Sequence, residues 1–135
     1  GARTLSRSLF DEAFARDPEA PGAVASLALL AWQAGETERA RDLIDGGLRS
    51  RPHFARYHYL RGLVVRTAGD PDTAIAAFRE AVRLAPWEWR WRADLALTLQ
   101  ATGRTAEARA EVAAAPERPP GWAAWLDGHP QLVEE

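Results

Sequence analysis

The sequence predicts an all-α solenoid, a stack of antiparallel helix pairs. Three observations carry that expectation. Residue types recur every 34 positions: Gly35, Gly69 and Gly103; Ala40, Ala74 and Ala108; Leu29, Leu63 and Leu97; and Pro18, Pro52, Pro86 and Pro120. Within a period the apolar residues fall at helical spacings of three and four. Each helical stretch is closed by a glycine or a proline, which end helices for different reasons. Self-similarity at a fixed period of this length is the mark of a repeat architecture, and local features are read in its register.

Residues 4–18 read as the second helix of a preceding unit, with Phe10, Ala13 and Pro18 in phase. The middle period shows the physics of a whole unit. Leu60, Leu63 and Val64 recur at helical spacing in residues 55–68, and Gly69 ends that helix where a positive φ is cheap for glycine. Asp70 is placed to cap the next helix, and Pro71 fits its first turn. Ile75, Phe78 and Val82 then make one apolar stripe, and Pro86 stops it. Ala74 and Ala81 are small where two helices cross closely, so enlarging Ala74 is expected to cost about 1–3 kcal/mol. The same grammar places a leading helix in residues 1–20 and units at 21–54, 55–88 and 89–122. A short capping helix and tail are expected in 123–135.

The stretch PWEWRWRADL, residues 86–95, alternates tryptophan with charge, as a half-buried strand or a base-stacking stripe would. In the 34-residue register, however, Pro86 and Trp87 fall in a connection between units. Trp89 and Trp91 fall in the first turn of the next helix, about 200° apart around its axis. Trp91 is in phase with Tyr57 and Trp125, and these aromatics are expected to pack between adjacent units. Arg90 and Arg92 are placed to lie on the ring faces, a contact worth about 0.5–1 kcal/mol where exposed.

The segment GDPDTAIAAFREAVRLAP resembles the second helix of the tetratricopeptide repeat family, with Gly69, Ala74, Phe78, Ala81 and Pro86 at the signature places. Gly62 matches the small residue of the first helix, and Ala28 and Ala96 take that place in the other units. The chain departs from the pattern in four ways. The first-helix aromatic is displaced by one residue, to Tyr57 and Trp91, and is missing from the first unit. Gly47 replaces an alanine. Val112 replaces the large aromatic of the third unit, and Pro116 is expected to cut that unit's second helix short.

The resemblance implies a right-handed alpha-alpha superhelix whose concave surface, lined by the first helices, binds an extended peptide or a partner helix. Carried over position by position, that surface comprises Leu29, Trp32 and Gln33 from the first unit. Arg56, Tyr59, Leu63 and Arg66 come from the second, and Arg90, Leu97 and Gln100 from the third. Leucines, aromatics and three arginines together suit a protein or peptide that is acidic with apolar anchors. The leucines would serve equally well as packing between neighbouring helices. Some family members clamp a chaperone's C-terminal carboxylate with lysine and asparagine. This chain has neither residue type, and Leu29 and Leu63 stand where amides would be needed.

Composition narrows the remaining classes. A length of 135 residues is enough for one domain with a core, and a net charge of −2 creates no overall attraction to nucleic acid or anionic lipid. With no cysteine, disulfides and thiolate chemistry are excluded. The apolar run at residues 23–32 is far short of the ~20 residues that span a bilayer. His53, His58 and His129 show no metal-ligand spacing, and most carboxylates alternate with arginines as on a solvated helix face. No catalytic residue, metal or cofactor is expected. Abundant alanine and arginine without lysine or asparagine point to a GC-rich, bacterial coding sequence, with cytoplasm and periplasm both open. The opening Gly1-Ala2 is read as a segment cut from a longer protein. A second function remains from the chain's ends. Leu5, Leu9 and Phe10 at one end, and Trp122 and Trp125 at the other, could stack on further copies in a structural or self-assembling segment, a homo-oligomer.

Overall fold

A computed structural model describes residues 9, 11–17 and 20–133. Leu5, Phe10 and Pro18 lie outside the described residues. Helix α1 (residues 11–16) leads into three pairs. These are α2 (Pro21–Gln33) with α3 (Thr37–Ser50), α4 (Ala55–Thr67) with α5 (Pro71–Leu84), and α6 (Trp89–Ala101) with α7 (Thr105–Ala113). Helix α8 (Pro120–Asp127) and a 3-10 turn (Pro130–Leu132) follow. Among the described residues there is no strand.

The bend inside each pair is the same turn made three times. Gly35, Gly69 and Gly103 have φ of 80°, 90° and 80°. A side chain would be strained in that region, so glycine is the residue that fits. The next amide then donates back across the turn: Glu36 to the Ala31 carbonyl at 2.8 Å, Asp70 to Val65 at 3.0 Å, Arg104 to Leu99 at 2.8 Å. These bonds satisfy carbonyls that the helix end leaves open. Only the middle turn adds a side-chain cap, the Thr73 amide donating to Asp70 Oδ1 at 3.1 Å. That bond holds the Asp70 carboxyl below its ordinary range.

The core runs along the stack, and glycines open room in it for aromatic rings. Phe78 is fully buried, and a methyl group on Gly62 would collide with its ring. Tyr57 is also fully buried, and a Cβ on Gly47 would stand 2.7 Å from that ring. Two of the departures from the family pattern therefore answer each other. The alanine missing at position 47 makes the seat for the aromatic displaced to position 57.

The third unit differs from the first two. Helix α7 has 9 residues, against 14 in α3 and in α5. It ends ahead of Pro116, and the chain re-enters a helix at Pro120. First helices start at 21, 55 and 89, 34 apart, but α8 starts 31 residues after α6. The unit boundary expected at 122/123 therefore falls inside α8. Arg92 also departs from expectation. It is 5 % exposed and lies on no ring; its Nη1 donates to the Glu111 carbonyl at 3.0 Å and sits 3.3 Å from Glu111 Oε2. A guanidinium there satisfies a carbonyl in the last turn of the shortened α7, where positive charge suits the helix dipole. Burial lowers the Arg92 pKa, with Glu111 opposing.

Candidate interaction surface

Helices α2, α4 and α6 stand side by side, and polar side chains join them across the stack. The Trp32 indole Nε1 donates to Thr67 Oγ1 at 2.9 Å, and Thr67 donates in turn to the Leu63 carbonyl at 2.9 Å. Between α4 and α6 the links are denser. The Tyr59 hydroxyl donates to Asp94 Oδ2 at 2.6 Å. Arg66 Nη1 donates to Thr98 Oγ1 at 3.1 Å and lies 3.6 Å from Asp94 Oδ1. The Arg66 guanidinium also sits 5.3 Å from the Phe78 ring centroid. The Tyr59 ring stacks on Trp91 at 5.0 Å, nearly parallel at 11°. Burial pushes the Tyr59 hydroxyl pKa well above its ordinary value; the hydrogen bond to Asp94 and the Asp94 charge add to this, against Arg66 and Arg56.

The ten residues expected on the concave surface divide into three groups. Trp32, Tyr59 and Arg66 are brought together with residues of the next helix, in the network just described. Leu63 is only 5 % exposed and belongs to the core; Leu29 and Leu97 are half-buried, Leu29 packing directly against that core. Gln33, Arg56 and Arg90 are exposed and Gln100 is partly so. Arg90 lies over the Trp89 ring at 4.9 Å, and among the described residues neither Arg56 nor Arg90 has a carboxylate partner. Asp94 and Thr98 were not expected here. The register holds a signal for them: they stand where the preceding unit has Leu60 and Val64.

The surfaces expected at the ends are altered more. Trp122 is fully buried, stacked on Trp125 at 5.0 Å and tilted against Trp89 at 6.0 Å, so it is not available to a second copy. It closes the core because α8 begins three residues early and turns this side chain inward. Trp125 is half-buried and stacks on His129 at 4.1 Å. At the other end Leu9 is 58 % exposed. In the first unit an open cleft of about 770 Å³ is lined by Phe14, Val24 and Leu43 together with Arg39, Asp42 and Arg49.

Two of the three histidines bond to the backbone. His58 Nε2 donates to the Pro52 carbonyl and His129 Nδ1 to the Trp125 carbonyl, each at 2.7 Å. The second helices are tied on the other side of the stack by ion pairs: Arg39–Asp11 at 3.3 Å, Arg79–Glu107 at 2.7 Å and Arg104–Asp72 at 3.0 Å. No described helix is long and apolar enough to cross a membrane.

Stacked helix pairs with a side-chain-lined first-helix face define a helical-repeat scaffold for protein–protein interaction. Tetratricopeptide repeat profiles match residues 3–53 and 26–88, and a second profile of the same description matches 66–129. The chain belongs to the tetratricopeptide repeat family, whose superhelix accounts for the architecture above. Among solved structures it resembles a MamA crystal structure, with a TM-score of 0.70 at 21 % identity. It also resembles MamA 41-end from Desulfovibrio magneticus RS-1, at 0.69 and 20 %. The match covers 82 % of this chain and 65 % and 63 % of those two, so the chain spans less than two thirds of either. Naa15/Naa10 bound to HypK-THB gives 0.69 at 21 % identity, over 90 % of this chain and 17 % of that one. At such identities the likeness is one of fold. No curated protein matches significantly.

Proposed function

We propose that the chain is a non-catalytic adaptor that holds an extended segment of another protein against the concave face of α2, α4 and α6. The observation that carries this is the make-up of that face. Trp32, Tyr59 and Trp91 are only half-buried there, Gln33 and Arg56 are exposed, and the rings are held in place by hydrogen bonds and stacking. Preorganised aromatics with partly free surfaces are what interface hot spots are made of. The Naa15/Naa10 structure with bound HypK-THB is in keeping with a protein ligand on this fold.

The test is site-specific photo-cross-linking in cells. A cross-linking amino acid at Gln33 or Gln100, on the concave face, is expected to trap a partner. The same group at Ala76, exposed on α5, is expected to trap none. Adducts from Ala76 alone would sink the groove reading.

A second reading is favoured by exposed Leu9 and the open cleft lined by Phe14, Val24 and Leu43 and rimmed by Arg39, Asp42 and Arg49: a self-assembling segment joined through that end. It predicts an oligomer that grows with concentration in sedimentation and that Leu9→Glu disperses. A concentration-independent monomer rules it out.

A further inference from the structure

Resting on the groove reading, the structure separates the three concave arginines by role. Arg66 is committed inside the protein, to Asp94 and Thr98. Arg56 and Arg90 are not. They are the second residues of α4 and α6, one repeat apart at the same register position, both exposed and, among the described residues, both without a carboxylate partner. The helix ends strengthen the asymmetry. Each second helix carries an acid in its first turn, Glu38, Asp72 and Glu107. The first turns of α4 and α6 carry none; α6 has Glu88 at its N-cap, while α4 has Phe54 there, which leaves the positive end of the α4 dipole without a balancing acid. Further along the same face, Asp94 presents a carboxylate to anything lying between the two helices.

We propose that Arg56 and Arg90 read two acidic side chains on one extended segment, and that Asp94 excludes a third acid from between them. The spacing follows from the helices. Neighbouring helices lie about 8–10 Å apart, and a segment in the extended polyproline-II form advances about 3.1 Å per residue and returns every third side chain to one face, so the two acids stand about three residues apart. An apolar side chain between them meets the Tyr59–Trp91 rings. That pair also argues against bases as the ligand, because each ring already spends one face on the other.

The probe is a set of labelled synthetic peptides read by fluorescence anisotropy. Each has a central leucine and two glutamates whose separation is varied, beside a leucine-only peptide and a peptide with a third, central glutamate. The separation of three is expected to bind tightest. Arg56→Gln and Arg90→Gln are each expected to weaken it about three- to tenfold and to leave the leucine-only peptide unchanged. Among the described residues Arg56 has no ion-pair or ring partner and Arg90 has only its contact over the Trp89 ring, so Arg56→Gln is expected to keep the parent melting temperature and Arg90→Gln to lower it slightly. Asp94→Asn can keep its bond to Tyr59, and is expected to gain a similar factor for the peptide with the central glutamate only. That gain is a readout a merely structural Asp94 would not give. Equal binding of acidic and leucine-only peptides overturns the charge reading and leaves the groove standing. Tighter binding of a labelled oligonucleotide at the same arginines overturns it in favour of phosphate. No binding by any peptide overturns it whatever the cross-linking result.

Discussion

The joint between the first and second units and the joint between the second and third share one backbone plan and use different chemistry. The first is closed by burial. Tyr57 sinks against Gly47, meets Phe54 edge-on at 4.6 Å, and among the described residues the polar tie between α2 and α4 is the neutral Trp32–Thr67 bond. The second is closed by charge. Tyr59 and Arg66 converge on Asp94, and Arg79–Glu107 and Arg104–Asp72 add ion pairs on the other side. The residue in phase with Tyr57 is Trp91, and it stays half-exposed to stack on Tyr59. Where the seat at position 47 is glycine the aromatic goes in. Position 81, the equivalent place, is alanine, and the aromatic stays at the surface. The seat at 47 or 81 and the pairs Leu60/Asp94 and Val64/Thr98 together separate a dry joint from a wet one.

The largest effect should come from emptying the dry joint. Tyr57→Ala is expected to lower stability by about 3–5 kcal/mol in urea denaturation, as removal of a buried aromatic does. Gly47→Ala is expected to cost about 1–3 kcal/mol by forcing the ring off its seat. In the Tyr57→Ala background that cost should vanish, because no ring is left to strike. Additive losses in that double-mutant cycle would break the assignment of the seat.

In the wet joint, Asp94→Ala is expected to cost about 1–3 kcal/mol by leaving the Tyr59 hydroxyl and Arg66 without their acceptor. Here salt matters: the difference from the parent should shrink in concentrated sodium chloride, and that for Tyr57→Ala should not. High pH separates the joints further. The folded state raises the Tyr59 pKa, so its contribution is complete below the unfolded value near 10 and is lost as pH climbs from there towards the folded value. Stability is therefore expected to fall above pH 10, and Tyr59→Phe should flatten part of that fall. Tyr57 is raised in the same direction by burial, with Arg51 opposing, and supplies part of the remainder. The smallest effect sharpens the same contrast. The buried Tyr57 hydroxyl has no hydrogen-bond partner, so Tyr57→Phe is expected to be neutral or to stabilise by up to about 1 kcal/mol in the same denaturation assay.

The sequence was most informative where one residue type has one structural use. Gly35, Gly69 and Gly103 announce their turns because a positive φ there admits little else, and Asp70 before Pro71 announces its cap. Pro116 likewise foretold the short α7. The register also grouped Trp32, Tyr59, Arg66 and Arg90 as candidates for one face. It could not name their partners. Whether Arg66 is free depends on Asp94, 28 residues away on another helix, and a repeat position carries no record of what a long side chain reaches. Arg92 and Trp122 were misplaced for a related reason. Trp122 lies where the period itself slips, since α8 begins 31 residues after α6 and a reading that assumes 34 turns its side chain the wrong way; Arg92 is in register on α6, but its partner is the Glu111 carbonyl near the end of the shortened α7.

The uneven burial of the six tryptophans has an optical consequence. Trp122 is sealed from solvent, Trp87 is 68 % exposed, and Trp32 and Trp91 lie half-covered on the face assigned to a partner. Emission should therefore separate into a blue component that iodide cannot quench and redder components that it can. A ligand entering the concave face would shield Trp32 and Trp91 while Trp87, out on its connecting loop, kept its full quenching. The protein carries its own internal standard for occupancy, written in which indoles go dark.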